Sequence, residues 1–260
     1  MATEEPSIPI FIISSNRKTV LEEALKSYEA CIKTPFHVVI HDNASKCPSV
    51  VTYLKELESQ GITVYWSQGT RLLDVRPTIT DYLAKYPSPY YVVTDPDIAL
   101  DEVNGDILLF YMELLDRFPK LNVVGPMLRI DDIPDHYPLK REVLRSHTRQ
   151  FWRKKPKAIA FNGLLYQYQT AYIDSTFGLY RGDFPFKNHN WGIRTYAPYA
   201  ARHLDWYLDP KNLAVDQAYY LEHANSLSHW GAGQFFKDTV TFTKPSSVWK
   251  KILHKIRPPL

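Results

Sequence analysis

The sequence predicts an α/β fold in which helices flank a mostly parallel central sheet. Short apolar, β-branched runs such as IPIFIIS (8–14) have the composition of strands that are buried on both faces. Segments with helical periodicity separate these runs, and strands that alternate with helices pair in parallel. The chain has 260 residues, of which 45% are hydrophobic, so one main domain with a sizeable core is expected.

In the first hundred residues, predicted strands and helices alternate strictly. Thr19 and Glu22 have the spacing of a capping box at the start of the first helix, and Gly61 is a typical stop for the second. The elements that follow the first helix are the strand FHVVIHD (36–42), the helix SVVTYLKELESQG (49–61), the strand ITVYWS (62–67), the helix PTITDYLAKY (77–86) and the strand YYVVTD (90–95).

The second half of the chain is less regular and predicts a smaller, mixed region. LNVVGPMLRI (121–130) is typical of a strand, and the basic stretch 140–157 indicates a helix followed by an exposed loop. Residues 165–182 alternate well enough for one or two strands around Asp174, and residues 216–225 indicate a further helix.

Polar side chains follow each strand of the first half. In doubly wound sheets, ligands bind beyond the carboxyl ends of the strands, so these residues are candidates for a binding site. Ordinary turn chemistry is the competing explanation for each single loop. In strand order, the polar residues are Ser14, Ser15, Asn16 and Arg17; Asp42, Asn43 and Ser45; Ser67, Gln68 and Arg71; and Asp95 and Asp97.

The strand YYVVTD runs into a D-x-D tripeptide, Asp95-Pro96-Asp97. Side chains two residues apart in an extended segment point to the same side, so both carboxylates can face one cation. Carboxylate oxygens suit Mg²⁺ or Mn²⁺, which complete their shells with water and diphosphate oxygens. The tripeptide therefore predicts a divalent metal and an anionic ligand at this strand end.

Composition excludes several classes of protein. No G-x-G-x-x-G or P-loop pattern occurs, and a net charge of +3 with mixed signs leaves no nucleic-acid footprint. Only Cys31 and Cys47 are present, which favours a reducing compartment. The apolar stretch near the N terminus is too short for a signal peptide, so we expect a cytoplasmic protein.

The strand ends also carry a resemblance to a known family. IISSNRK, HDNAS, the third strand with its Arg-bearing loop, and VVTDPDI resemble, in order and spacing, the nucleotide-sugar half of glycosyltransferases with the GT-A fold. LRIDDIP and HLDWYLDP resemble segments of small family-two-like members from bacteria and large viruses. The resemblance covers residues 8–130 and continues less closely to about residue 235.

This resemblance implies roles for particular residues. Its D-x-D motif would contact the ribose and hold the metal, while the loops after the first strands and Arg76 would hold the nucleotide. The implied nucleotide-sugar residues are Ser14, Asn16, Arg17, Asp42, Asn43, Arg76, Asp95, Pro96 and Asp97. The implied metal ligands are Asp95, Asp97 and a late histidine, His229; His203 and His223 are weaker candidates.

An inverting glycosyltransferase needs a carboxylate base for the acceptor hydroxyl, and two residues compete for that role. Asp205 occupies the place of the family's x-E-D acid, and nearby aromatic residues are expected to raise its pKa. Asp174 is the alternative. Leu204 replaces the glutamate of x-E-D, which leaves a retaining mechanism open. Some aromatic residues of this half are expected to line an acceptor site: Trp191, Tyr196, Trp206, Tyr207 and Trp230.

The predicted organisation is one GT-A catalytic domain over residues 1–240, with a nucleotide-sugar half at 8–130 and an acceptor half at 131–240. Residues 241–260 form a basic, amphipathic tail that suits peripheral contact with an anionic membrane, or a short helix docked on the domain.

The sequence thus predicts a glycosyltransferase that uses Mn²⁺ or Mg²⁺ to move a sugar from a nucleoside diphosphate sugar, most often a UDP-sugar, to a glycan hydroxyl. Two alternatives stay open. One is a sugar nucleotidyltransferase, although the loop SSNRKT lacks the glycines typical of that class. The other is a catalytically silent carbohydrate-binding domain of the same fold.

Overall fold

A computed structural model describes residues 7–100 and 106–223. The helices are α1 (Lys18–Cys31), α2 (Pro48–Ser59), α3 (Val75–Lys85), α4 (Ile107–Arg117), α5 (Lys140–His147) and α6 (Val215–His223). The strands are β1 (Ile8–Ser14), β2 (Phe36–Asn43), β3 (Thr63–Ser67), β4 (Tyr90–Thr94), β5 (Ile98–Leu100), β6 (Val123–Pro126), β7 (Lys157–Phe161), β8 (Leu164–Ile173), β9 (Gly178–Arg181), β10 (Asn190–Thr195) and β11 (Ala201–His203).

Nine strands form one central sheet in the order β3-β2-β1-β4-β9-β6-β10-β8-β7. Strands β3, β2, β1 and β4 pair in parallel, and β6 and β10 run in the same direction. Strands β9 and β8 are antiparallel to their neighbours. The predicted α/β architecture with a mostly parallel central sheet is therefore confirmed, and the mixed part lies in the second half of the chain.

The sheet is buried on both faces, as its apolar strands predict. In β1, Ile10 and Ile12 belong to the core cluster that includes α1, α2 and α4, whereas Phe11 and Ile13 belong to the cluster with α3. Successive side chains of a strand point to opposite faces of the sheet. Because both faces are covered here, every position of β1 is buried and the strand has no polar face. Over the described ranges, every helix is too short or too polar to cross a bilayer.

A second, two-stranded sheet links the two halves of the chain. Strand β5 pairs antiparallel with β11, and Ile98 faces His203 in this register. The amide of Leu204 also donates to the carbonyl of Asp97, at 2.7 Å. This pairing brings residues 203–205 beside the D-x-D tripeptide.

The predicted capping box at α1 is wrong. The helix starts after Arg17, and Glu22 pairs with Lys26 on the next turn instead of bonding to the helix start. Asp216 of α6 takes its place, because its carboxylate accepts the Thr19 amide at 2.8 Å and the Thr19 hydroxyl at 2.6 Å. A carboxylate at a helix N terminus satisfies unpaired amides and matches the helix dipole.

Element boundaries differ from the predictions at a few ends. Helix α2 ends at Ser59, two residues before Gly61, which adopts a positive φ of 97°. The strand predicted over 121–130 is limited to Val123–Pro126, and a strand on each side of Asp174 is present as β8 and β9. The basic stretch continues past α5 as a π-helical turn, Thr148–Trp152, before β7 begins.

We expect Asp216→Ala to lower the free energy of unfolding by about 1 kcal/mol, because the start of α1 loses its carboxylate cap. Urea unfolding followed by circular dichroism measures this change. Thr19→Val removes only the hydroxyl bond and should cost less. Equal stability of Asp216→Ala and wild type would show that the cap contributes nothing.

Candidate active site

The ends of β1, β2 and β4 meet at one edge of the sheet, where Ser14 pairs in register with Asp42. Asp42 accepts hydrogen bonds from the amide of Ser45 at 2.9 Å and from its hydroxyl. Burial raises the pKa of Asp42, and the bonds from Ser45 oppose that shift. Asp42 therefore shapes the loop after β2.

Asn16 joins the loops after β1 and β2. Its φ is +54°, and its side-chain oxygen accepts the amides of Lys46 and Cys47 at 2.7 and 2.8 Å. Asparagine tolerates this left-handed conformation better than most residues, which explains its place here. The structure thus gives Asn16 a loop-shaping contact at the strand edge.

Asp95 and Asp97 differ in their surroundings. Asp95 is half-buried, and its carboxylate accepts the Ser175 hydroxyl at 2.6 Å. Asp97 is 5% exposed, and Pro96 between them is buried. Burial and the nearby negative charge of Asp97 raise the pKa of Asp95 well above its usual range. In this tripeptide, Asp95 is therefore the acid that is costly to ionise, and Asp97 is the more deeply buried one.

Asp97, His203 and Asp205 form a cluster that can hold a metal ion. One possible ligand atom from each residue lies within 4.8 Å of the others. Strand pairing between β5 and β11 supplies this geometry, since it sets residues 203–205 against the end of the D-x-D tripeptide. His203 stacks on Trp206, with ring centroids 4.9 Å apart and planes at 6°.

Arg17 neutralises the acids of this cluster. Its guanidinium donates to both oxygens of Asp205, one of them at 3.2 Å, and to Asp97 Oδ2 at 3.3 Å. The ring of Tyr220 on α6 lies 4.2 Å from the guanidinium carbon. Burial alone would lower the pKa of Arg17, but the charges of Asp205, Tyr220 and Asp97 raise it, so the guanidinium stays charged.

Two buried atoms of the cluster have no hydrogen-bond partner among the described residues, Asp97 Oδ1 and His203 Nδ1. The His203 atom lies 3.8 Å from Asp97 Oδ2. Burial favours protonation of Asp97, but His203 and Arg17 outweigh it and lower the pKa of this carboxyl. An ionised carboxylate oxygen and an imidazole nitrogen are ligands for a hard or borderline divalent cation, so these residues fit one.

Asp174 directly precedes Ser175, the hydrogen-bond partner of Asp95. Its Oδ1 accepts from the Thr176 hydroxyl at 2.7 Å and from Arg194 at 3.2 Å, and 43% of its side chain is exposed. Burial would raise the pKa of Asp174, but Arg194 and Thr176 outweigh it, so the pKa is lowered. Asp174 is therefore an ionised carboxylate with an accessible side.

Asp205 is far less accessible than Asp174. Its side chain is 3% exposed, and both of its oxygens contact Arg17. Burial, with the charge of Asp97, raises the pKa of Asp205 although Arg17 opposes this. The two predicted catalytic acids thus occupy different environments.

The structure does not bring every predicted site residue to this cluster. Arg76 lines a surface cavity of about 370 Å³ between α3 and the segment 182–186. Gly182, which also lines this cavity, donates its amide to the carbonyl of Pro89. Pro89 directly precedes β4, whereas Asp95 follows the other end of that strand. Ser14 and Asn43 do lie at the strand edge, each with one buried oxygen that has no partner among the described residues. His229 and Trp230 lie outside the described residues.

The predicted acceptor-side aromatics are dispersed. Trp206 is fully buried beneath His203, and Tyr196 packs edge-on against Trp152. Trp191 is exposed beside Tyr172, and Tyr207 is half-buried with its hydroxyl bonded to Asp132.

Sequence reasoning missed the residues that contact Asp95 or Asp174, which are Ser175, Thr176 and Arg194. It also missed Tyr220, which contacts Arg17, and Asp216, which caps α1. Ser175 and Thr176 directly follow Asp174, so that proximity was a usable signal. Arg194 and Tyr220 reach the site only through tertiary packing.

No protein-family model matches the sequence, and no curated protein matches it either. Several solved structures are similar. TarS of S. aureus shares 12% identity at a TM-score of 0.46, over 92% of this chain and 44% of the TarS chain. The chain thus spans less than half of that protein.

Two further solved structures contain ligands. The mannosyltransferase PcManGT of Pyrobaculum calidifontis, in complex with GDP-Man and Mn²⁺, shares 16% identity at a TM-score of 0.43, over 97% of this chain and 69% of its own. TarS 1-349 in complex with UDP-GlcNAc shares 12% sequence identity at a TM-score of 0.44. The match covers 88% of this chain and 70% of the TarS 1-349 chain. Likeness at these values does not assign a function.

We expect Asp95→Asn to raise the free energy of unfolding by about 1 kcal/mol at pH 7. The folded-state pKa of Asp95 is raised, so its ionisation costs stability once the pH exceeds the unfolded-state value of about 3.9. The gain should therefore shrink as the pH falls below that value. Urea unfolding across this pH range measures it.

Asp81→Asn is the matched control, because Asp81 is exposed on α3. This variant should change the free energy of unfolding little at any pH in the range. A variant at Asp95 that is less stable than wild type at pH 7 would contradict the assigned cost of ionisation.

Proposed function

We propose that this chain is a metal-dependent glycosyltransferase of the GT-A, family-two-like type. It would transfer a sugar from a nucleoside diphosphate sugar to a hydroxyl of a glycan, with inversion. The observation that carries this proposal is the cluster of Asp97, His203 and Asp205 beside Asp95 at the edge where β1, β2 and β4 end. Such an edge is where α/β sheets bind ligands.

A divalent cation, Mn²⁺ or Mg²⁺, would be held by Asp97 and His203, with Asp205 beside them. Asp97 Oδ1 and His203 Nδ1 have no partner within the described ranges, which supports this assignment because buried polar atoms without partners are rare in native proteins. When bound, the cation supplies charge stabilisation for a departing diphosphate. His203 is the proposed histidine ligand among the described residues, and His229, predicted from the sequence, lies outside them.

Arg17 would act on this site through Asp205. It engages both oxygens of Asp205 but only Oδ2 of Asp97, so Asp97 Oδ1 has no partner among the described residues and stays available as a ligand atom. Removing a guanidinium from between two buried carboxylates would leave their charges uncompensated, which costs about 3 to 5 kcal/mol for buried pairs. Arg17 therefore serves as a positioning residue rather than a nucleotide contact.

Asp174 is the proposed catalytic base. As the acceptor oxygen bonds to C1 of the donor sugar, the bond from C1 to the diphosphate oxygen breaks, and the acceptor proton moves to the base. That base must reach a bound hydroxyl. The partly exposed carboxylate of Asp174 meets this condition, whereas Asp205 is buried and engaged by Arg17. The sequence alone slightly favoured Asp205.

Asp95 would hydrogen-bond a hydroxyl of the ribose or the donor sugar. Ser175 donates to one of its oxygens, and Asp95 is only half-buried, so its carboxyl can accept a ligand hydroxyl. We further propose that residues 1–240 act as one catalytic unit. The tail over 241–260, with its proposed membrane contact, lies outside the described residues.

Thermal unfolding with nucleoside diphosphates tests the metal site. At a hundred times its Kd, a ligand stabilises the folded state by about 2.7 kcal/mol, which corresponds to a Tm increase of roughly 5 to 10 °C for a chain of this length. We expect UDP or GDP with Mn²⁺ to give such an increase and a chelator to abolish it.

Asp97→Asn should lose the Mn²⁺-dependent part of the shift relative to its own unliganded Tm, while Asp81→Asn keeps it. A shift in Asp97→Asn as large as in wild type would refute the proposed metal site. Release of pyrophosphate from a nucleoside triphosphate plus a sugar phosphate would instead identify a nucleotidyltransferase.

Paired variants of the two acids test the base. We expect Asp174→Asn to lower turnover or donor hydrolysis by about 10²- to 10⁴-fold, with nucleotide binding within about threefold of wild type. Asp205→Asn should mainly lower stability, because it disrupts the buried pair with Arg17. Steady-state rates and urea unfolding separate the two effects. A fully active Asp174→Asn beside a stable but inactive Asp205→Asn would assign the base to Asp205.

A further inference from the structure

A row of basic side chains without ion-pair partners among the described residues runs along α5, the π-helical turn and the loop that leads to the start of β7. This basic ridge consists of Arg145, Arg149, Arg153, Lys154, Lys155 and Lys157. All six residues are exposed, and none forms an ion pair with another described residue. No Asp or Glu occurs between residues 143 and 157.

The buried face of the same segment connects the ridge to residues of the candidate active site. The opposite face of the same segment is the buried stripe Val143, His147 and Phe151, at four-residue spacing. The ring of His147 lies 4.7 Å from that of Trp206, which stacks on His203. The ring of Phe151 lies 5.0 Å from the guanidinium of Arg194, which contacts Asp174. The segment therefore packs against Trp206, which stacks on the histidine of the cluster, and against Arg194, the partner of Asp174.

The spacing of the ridge suits an extended partner with repeated negative charges. Arg145, Arg149 and Arg153 recur every four residues along α5 and the π-helical turn, and all three are exposed, so the segment offers several guanidinium groups. Guanidinium forks bind carboxylate and phosphate groups with two parallel hydrogen bonds. A single small anion would engage only part of this row.

Exposed apolar side chains, which would insert into a bilayer, are missing from the ridge. Among the described residues of 140–157, Val143 and Phe151 are buried, while Leu144 and Trp152 are half-buried. The large exposed hydrophobic residues of the described chain all lie elsewhere. Membrane-surface segments usually combine basic residues with an exposed apolar face. The ridge therefore favours a soluble polyanion over a lipid surface.

We infer that the basic ridge binds an anionic glycan, a chain that carries carboxylate or phosphate groups, as the acceptor. This inference rests on the proposed glycosyltransferase function. The ridge lies about one helix diameter, roughly 10 Å, from the buried stripe that contacts the site. It holds a part of the acceptor chain remote from the accepting hydroxyl, while Asp174 faces the hydroxyl itself.

Binding measured without nucleotide tests the ridge separately from catalysis. The probes are end-labelled oligogalacturonate, inorganic polyphosphate and neutral oligogalactose of similar length, titrated with the full chain in fluorescence anisotropy. We expect at least one anionic probe to bind, the neutral probe not to bind, and added salt to weaken binding.

The triple variant R145Q/R149Q/R153Q should bind the anionic probe at least tenfold more weakly. The matched control K33Q/K55Q/K120Q removes the same charge from exposed positions elsewhere and should stay within twofold of wild type. The single variants R149Q and R149E provide a graded series that does not depend on the stability of the triple variant. Mn²⁺-dependent nucleotide binding should be unchanged in all of them.

Equal affinity of wild type and the ridge variants for both anionic probes would overturn the inference. The inference would also be overturned if the ridge variants weakened binding to phosphatidylglycerol vesicles but not to either anionic probe. That result would assign the ridge to a membrane surface. Because nucleotide binding is measured separately, a failed ridge leaves the proposed function standing. If wild type binds the anionic probe but no nucleotide, the proposed function is refuted and the ridge remains a glycan-binding surface.

Discussion

The ion contact of Arg17 with Asp97 and Asp205 is the constraint on which the rest of the site depends. Three charges lie here with almost no solvent exposure, so the carboxylates need a cation close by to remain ionised. The fold supplies that cation from the residue directly before α1, and Tyr220 of α6 covers it. The start of one helix, the D-x-D tripeptide and the β11 region are thereby coupled electrostatically, although they are distant in sequence.

The second arginine of the site, Arg194, has a different role. It donates to the carbonyls of Pro126 and Tyr172 as well as to the Asp174 carboxylate, so its orientation is fixed by the backbone around it. Among the described residues, Asp95 forms no ion pair, and its carboxylate accepts the Ser175 hydroxyl. A cationic ligand beside the D-x-D tripeptide would favour ionisation of Asp95 and so lower its raised pKa.

The sequence was most informative where the signal is local. The strands at 8–14 and 36–42 could be predicted within a residue, because a continuous apolar run needs no knowledge of its neighbours. The D-x-D tripeptide was likewise visible. The cap of α1 by Asp216 and the placement of His203 could not be predicted, since each depends on pairing between segments that lie far apart in the chain. Partners of this kind require the tertiary fold.

The short pairing of β5 with β11 makes the chemistry of the site sensitive to chain length. Side chains alternate across a strand, so a shift of one residue in this register would turn His203 to the opposite face. Insertions and deletions between β10 and β11 should therefore be rare among homologues. The hairpin between β7 and β8, at the sheet margin with Asn162 and Gly163 in left-handed conformations, can vary in length freely. Homologues should accordingly differ in size at that margin and be uniform beside the acids.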